Sequence, residues 1–85
     1  MTYNAESLSI LSYANGFSLW HYRTQDAISD LLRREYFAPA HKMLRFGDVI
    51  YVHQYGMQPE VAQMAVLANN GPEAGILCKL MVRVS

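Results

Sequence analysis

At 85 residues the chain has room for one domain; 52% of it is apolar, 16% is charged, and the formal net charge is +0. Seven basic residues with no run longer than Arg33-Arg34 exclude the cationic stripe that nucleic-acid binding needs, and a single cysteine excludes an intrachain disulfide. No apolar run approaches the roughly twenty residues of a membrane-spanning helix. Met1-Thr2-Tyr3-Asn4-Ala5-Glu6 also lacks the positive start and apolar stretch of a signal peptide, so the expectation is a soluble protein made in a reducing cytoplasm. A domain this small has too little interior for so many large apolar side chains, so part of that surface is expected to lie against partners.

Leu8 to Leu11 reads as an N-terminal arm or an edge strand, and residues 1–15 are assigned to an arm ahead of a single α+β domain spanning 16–85. Ala14-Asn15-Gly16 is a turn by composition. Phe17 to Arg23 then alternates as a strand with Phe17 and Leu19 on one face and Trp20 and Tyr22 on the other, apolar on both sides. Thr24-Gln25-Asp26 starts a helix in which Ile28, Leu31 and Leu32 form the inner stripe and which fails near Glu35 or Tyr36. Pro39 opens a second short helix with Ala40, Met43 and Leu44 inside, closed by Gly47-Asp48. The stretch Leu44-Arg45-Phe46-Gly47-Asp48-Val49-Ile50-Tyr51-Val52 is the pivot of the chain, because helical spacing gives way there to a β-rich run through Gln54.

Tyr55 to Pro59 is a loop. Glu60 to Asn69 satisfies helical spacing, yet a strand centred on Met64, Val66 and Ala68 is favoured because the strand before it needs a partner. Ile76 to Val84 alternates as a half-buried strand. The expected fold is therefore α+β: a small antiparallel sheet or partly open barrel of about four strands, near Phe17–Arg23, Asp48–Gln54, Met64–Asn69 and Ile76–Val84. One or two helices lie between the first two strands. Ile28, Leu31, Leu32, Leu44, Ile50, Val52, Leu80 and Val82 are the expected core.

Chemistry finds little purchase. His21, His41, His53 and Cys78 have long, irregular separations rather than the close pairs of structural zinc sites, so no metal is expected. Cys78 falls on an apolar strand face and reads as an inert buried thiol. Asp26, Asp30, Glu35 and Asp48 could supply acid pairs. Their simpler duties are dipole compensation, solvation and, for Asp48, closing a turn by hydrogen bonding to backbone. No catalytic residue, cofactor or enzymatic activity is expected. The aromatic set Trp20, Tyr22, Tyr36, Phe37, Phe46, Tyr51 and Tyr55 is large for one small core, which leaves a protein interface for the remainder. Trp20, Tyr22, Tyr36 and Phe37 are the interface candidates, with a core covered by the N-terminal arm as the alternative.

Three pieces in order carry a resemblance: Gly16-Phe17-x-Leu19-Trp20-x-Tyr22-x-Thr24-x-Asp26, then Tyr36-Phe37-x-x-Ala40, then Leu44-x-x-Gly47-Asp48-x-Ile50-x-Val52. Together they resemble small virion-associated proteins of tailed bacteriophages and prophages, over roughly residues 16 to 52. Glu35 departs from the pattern, where glycine is expected before the Tyr-Phe pair. The resemblance implies a structural role on the particle: a capsid decoration protein or the base of a head fibre on the outside of the major capsid shell. Its partners would be the major capsid protein and further copies of itself, most often as trimers. It implies neither nucleic-acid nor membrane binding. A tail, neck or baseplate component is the alternative within that class, and an intracellular SH3-like interaction module is the alternative outside it.

Overall fold

The computed structural model describes residues 3–14, 16–56 and 59–84. Asn15 of the expected turn and Met57 and Gln58 of the expected loop lie outside the described residues. After a 3-10 turn at Ala5–Ser7, the chain forms β1 (Leu8–Ala14), β2 (Phe17–Thr24), α1 (Ile28–Leu31), a 3-10 turn at Ala38–Ala40, β3 (Val49–Gln54), β4 (Glu60–Asn69), α2 (Gly71–Ala74) and β5 (Ile76–Val84). The strands make one five-stranded sheet in the order β1-β2-β3-β4-β5. Pairing is antiparallel throughout except between β2 and β3, which run parallel from Leu19↔Val49 to Thr24↔Gln54.

This corrects the expected fold in three respects. The molecule is largely β, with two helices of four residues each, one of them between β4 and β5 rather than between the first strands. Leu8 to Ala14 is an edge strand of the sheet, so the sheet has five strands and not about four. It is also mixed and open, with β1 and β5 as its two edges, so the expected partly open barrel of about four strands is not the architecture. The parallel pair has a plain cause. Residues 25–48 return across one face of the sheet to the end where β2 began, and a connection of that length permits parallel pairing where a short turn forces antiparallel. Glu60 to Asn69 adopts the favoured strand, paired on both sides.

Helix α1 is shorter than the sequence suggests because a continued helix would centre Glu35 on the stripe of Ile28, Leu31 and Leu32 and turn Phe37 to the opposite side. The chain instead leaves the helix at Leu32 and buries both Tyr36 and Phe37, the latter completely. Burying two rings outweighs a few exposed helical hydrogen bonds.

The core lies between the sheet and this covering layer. It contains Tyr22, Ile28, Leu31, Phe37, Leu44, Ile50, Val52, Met64, Val66 and Ile76, with Leu32 and Leu80 packed against it. Val82 is not part of it, being 48% exposed. An irregularity in the β4–β5 register, where Met64 pairs with Leu80 but Gln63 pairs with Val82, turns Val82 onto the uncovered face.

β5 begins at a tight approach. Gly75 has φ +88°, and a Cβ there would collide with the Arg34 carbonyl oxygen, the same oxygen that accepts the Ile76 N–H at 2.9 Å. Gly75→Ala therefore combines left-handed backbone strain with a clash against main chain. It is expected to destabilise the fold by about 1–3 kcal/mol or more, read as a lower denaturation midpoint in urea.

Candidate docking surface

The four aromatics expected at an interface are folded into the protein's own core. Trp20, Tyr22 and Phe37 are buried, as is Tyr36, although Trp20 also lies at the floor of an open cleft. Tyr22 and Trp20 face inward because the covering layer lies on their side of β2. Tyr3 stacks on Tyr22 with ring centroids 5.8 Å apart, and Phe37 meets Tyr3, Tyr22 and Tyr36 edge-on. The polar ends are satisfied internally. The Tyr36 hydroxyl donates to Asp26 Oδ2 at 2.6 Å and lies 2.9 Å from the Tyr22 hydroxyl, which accepts the Asn4 N–H. Burial, and after it the bond to Asp26, push the Tyr36 phenol above its ordinary range. The segment before β1 thus covers Tyr22 and Phe37, in line with the alternative reading for those two rings, while Trp20 is held from another direction.

The opposite end of β2 is built around Asp48. Asp48 is 2% exposed, and its carboxylate collects three N–H groups. Oδ1 accepts from the Ser18 backbone at 3.0 Å, while Oδ2 accepts from Trp20 Nε1 at 3.0 Å and from the Arg45 backbone at 3.1 Å. Gly47, at φ +90°, makes the turn that delivers Asp48, and its N–H bonds to the Val66 carbonyl at 2.8 Å. Asp48 does close its turn, as the sequence suggested, and it also anchors the Trp20 indole.

Beside this anchor the covering layer stops short, and on the inner face of the β1–β2 hairpin Ile10 and Tyr13 of β1 stay exposed while Ser18, Trp20 and Tyr22 of β2 are buried. A cleft of about 410 Å³ opens there, walled by Ile10, Tyr13, Phe17 and Met43, floored by Trp20, and bordered by Arg45. Ile10 is 54% and Tyr13 70% exposed, although both stand on the side of β1 that faces the core, opposite Trp20 and Ser18. A bulge makes this possible. Between Ile10 and Ser12 the register slips by one, so Tyr13 joins Ile10 on the inner side instead of alternating away. Phe46, 72% exposed on the Gly47-Asp48 turn, adds another aromatic at this end of the sheet.

Tyr13, Ile10, Phe17 and Met43 were not singled out from the sequence. The bulge that turns Tyr13 inward has no composition signal, and Met43 reads as part of an inner stripe. Phe46 did carry a signal. It lies off the stripe of Ala40, Met43 and Leu44 and ahead of the strand, so neither element could bury it.

The remaining reactive groups are dispersed. Cys78 is buried, and desolvation pushes its thiol up to about 12. His41 Nδ1 meets the Ala38 carbonyl at 3.1 Å. Asp26 is engaged by Tyr36, so it forms no acid pair with Asp30. His21 and His53 do meet, across the parallel pair on the uncovered sheet face, with Nε2 of one 2.7 Å from Nδ1 of the other and one proton shared between them. Among the described residues no group of three or more His, Cys, Asp or Glu could hold a metal ion.

No family model matches the chain, and no curated protein or solved structure is significantly similar to it.

Asp48→Ala would leave three N–H groups without their acceptor in a buried site, each worth about 1–3 kcal/mol. A loss of roughly 3 kcal/mol or more is expected, measured by chemical denaturation with Trp20 fluorescence as the probe. The histidine pair gives a pH dependence. Partial burial, then His53, then Arg23 hold the His21 pKa below its ordinary 6.5. The unfolded chain therefore binds this proton more readily, so the contribution is full above pH 6.5 and is lost as the pH falls from there through the folded value. Thermal melts across that window should show stability declining on acidification, with a shallower decline for His21→Gln.

Proposed function

We propose that the chain is a structural, non-catalytic protein of a tailed-bacteriophage particle, a decoration subunit or head-fibre base held on the outside of the major capsid shell. The observation that carries this reading is the exposed inner side of β1. Ile10 and Tyr13 there, with Met43 of the covering layer and Phe17 at the start of β2, stand around a cleft that the chain's own covering layer leaves open. Ile10 and Tyr13, apolar side chains on the core-facing side of a sheet yet left in water, suit a surface completed by another polypeptide. The resemblance of residues 16 to 52 to virion-associated proteins supplies the kind of polypeptide. The neutral charge and the lone, inert Cys78 suit a role that asks for adhesion and no chemistry. Copies arranged on local three-fold axes of a shell would associate as trimers.

The test uses purified particles lacking the native subunit. Wild-type protein is expected to bind in a fixed number of copies per particle. Tyr13→Ala and Phe46→Asp, both at exposed positions and checked for an unchanged melting temperature, are expected to bind at least tenfold more weakly. Truncating a central interface aromatic costs about 2 kcal/mol or more. Absence of wild-type binding, or full occupancy by both variants, overturns the reading.

A further inference from the structure

Resting on that reading of a protein partner, we propose that the cleft receives an apolar side chain of the partner that stands next to an aspartate or glutamate, and that Arg45 pairs with that carboxylate. Exposed carbon surface stands on the walls. Ile10 and Tyr13 of β1, Met43 of the covering layer and Phe17 at the start of β2 border Trp20, and the flexible Met43 side chain can adjust to an incoming group.

The charged half rests on which charges are satisfied and which are not. Asp48 offers nothing to a visitor, since it is almost wholly buried and its oxygens already accept three N–H bonds. An incoming cation would find no anion there. Arg45 is the reverse case. Its backbone N–H serves Asp48, while its exposed side chain borders the cleft and, among the described residues, makes no ion pair or hydrogen bond. The acids Glu6, Asp26 and Glu60 flank the other end of the sheet, ahead of Leu8, after Thr24 and opposite Gln54. A partner docking on the apolar walls would strip water from the Arg45 guanidinium. A carboxylate replaces that water with two parallel N–H···O bonds, a geometry that a lone lysine cannot match.

The particles lacking the subunit serve again, with wild type, Tyr13→Ala, Arg45→Gln and Arg45→Lys compared at rising salt. Arg45→Gln is expected to bind tenfold or more weakly at low salt and to lose much of the salt dependence of wild type. Its melting temperature should be unchanged. Arg45→Lys is expected to keep part of the affinity. When that variant is treated with a carbodiimide on the particle, the introduced amine should form an amide with the partner carboxylate, the reagent taking up the water released. Mass spectrometry of the joined peptide should then show Asp or Glu beside an apolar residue. Wild-type binding with Arg45→Gln unchanged in occupancy and salt response overturns this inference alone. Failure of wild type to bind overturns the proposed function, and this inference with it.

Discussion

The fold depends on where one carboxylate is put. Asp48 receives N–H groups from Ser18 and Trp20 on β2 and from Arg45 before β3, and its own carbonyl accepts the Val66 N–H of β4 at 2.8 Å. It therefore ties three strands together beside Leu19↔Val49, where the parallel pair begins. A slip of one residue there would turn Ile50 and Val52 out of the core, because side chains alternate along a strand. The anion is tolerable inside because its oxygens meet N–H donors in place of water.

That anchor makes the two ends of β2 unequal. At the Thr24 end, Tyr3, Tyr22, Tyr36 and Phe37 close over one another and over Asp26, so the sheet is covered. At the Ser18 end the covering chain has to pass from Leu44 into Asp48, and Asn69 Nδ2 holds it down by donating to the carbonyls of His41 and Leu44 at 2.6 and 2.7 Å. That pull is toward β4, away from β1. The exposure of Ile10 and Tyr13 on β1 is thus a geometric result of securing the connection on the other side of the sheet.

The strands were legible where side chains alternate without interruption: Phe17 to Arg23, Val49 to Gln54, and Glu60 to Asn69 once the need for a partner was weighed. Helices were overread, because the spacing of Ile28, Leu31 and Leu32 is genuine but Tyr36 and Phe37 pull the chain out of the helix soon afterwards. The parallel pair was not foreseen, although a long connection between two strands is the circumstance that permits one. Aromatic type indicated burial or an interface but could not choose between them. Trp20 and Tyr36 went inside because Asp48 and Asp26 were there to accept their N–H and O–H, a pairing between residues far apart in sequence. Tyr13 stayed outside through a register slip that leaves no trace in composition.

The strand order also divides the chain into a hairpin, β1–β2, and a meander, β3–β4–β5, each built from neighbours in sequence. Only the parallel contact between β2 and β3 joins them directly within the sheet, and it can form only after residues 25–48 have been drawn into a closed loop. Local hairpins assemble in microseconds, whereas closing a loop of this length before any reward arrives is the slower event. The seam at Leu19↔Val49 is therefore the place where the two halves must find each other during folding, and Asp48, standing next to it, adds to the joined state through the N–H groups of Ser18 and Trp20 on β2.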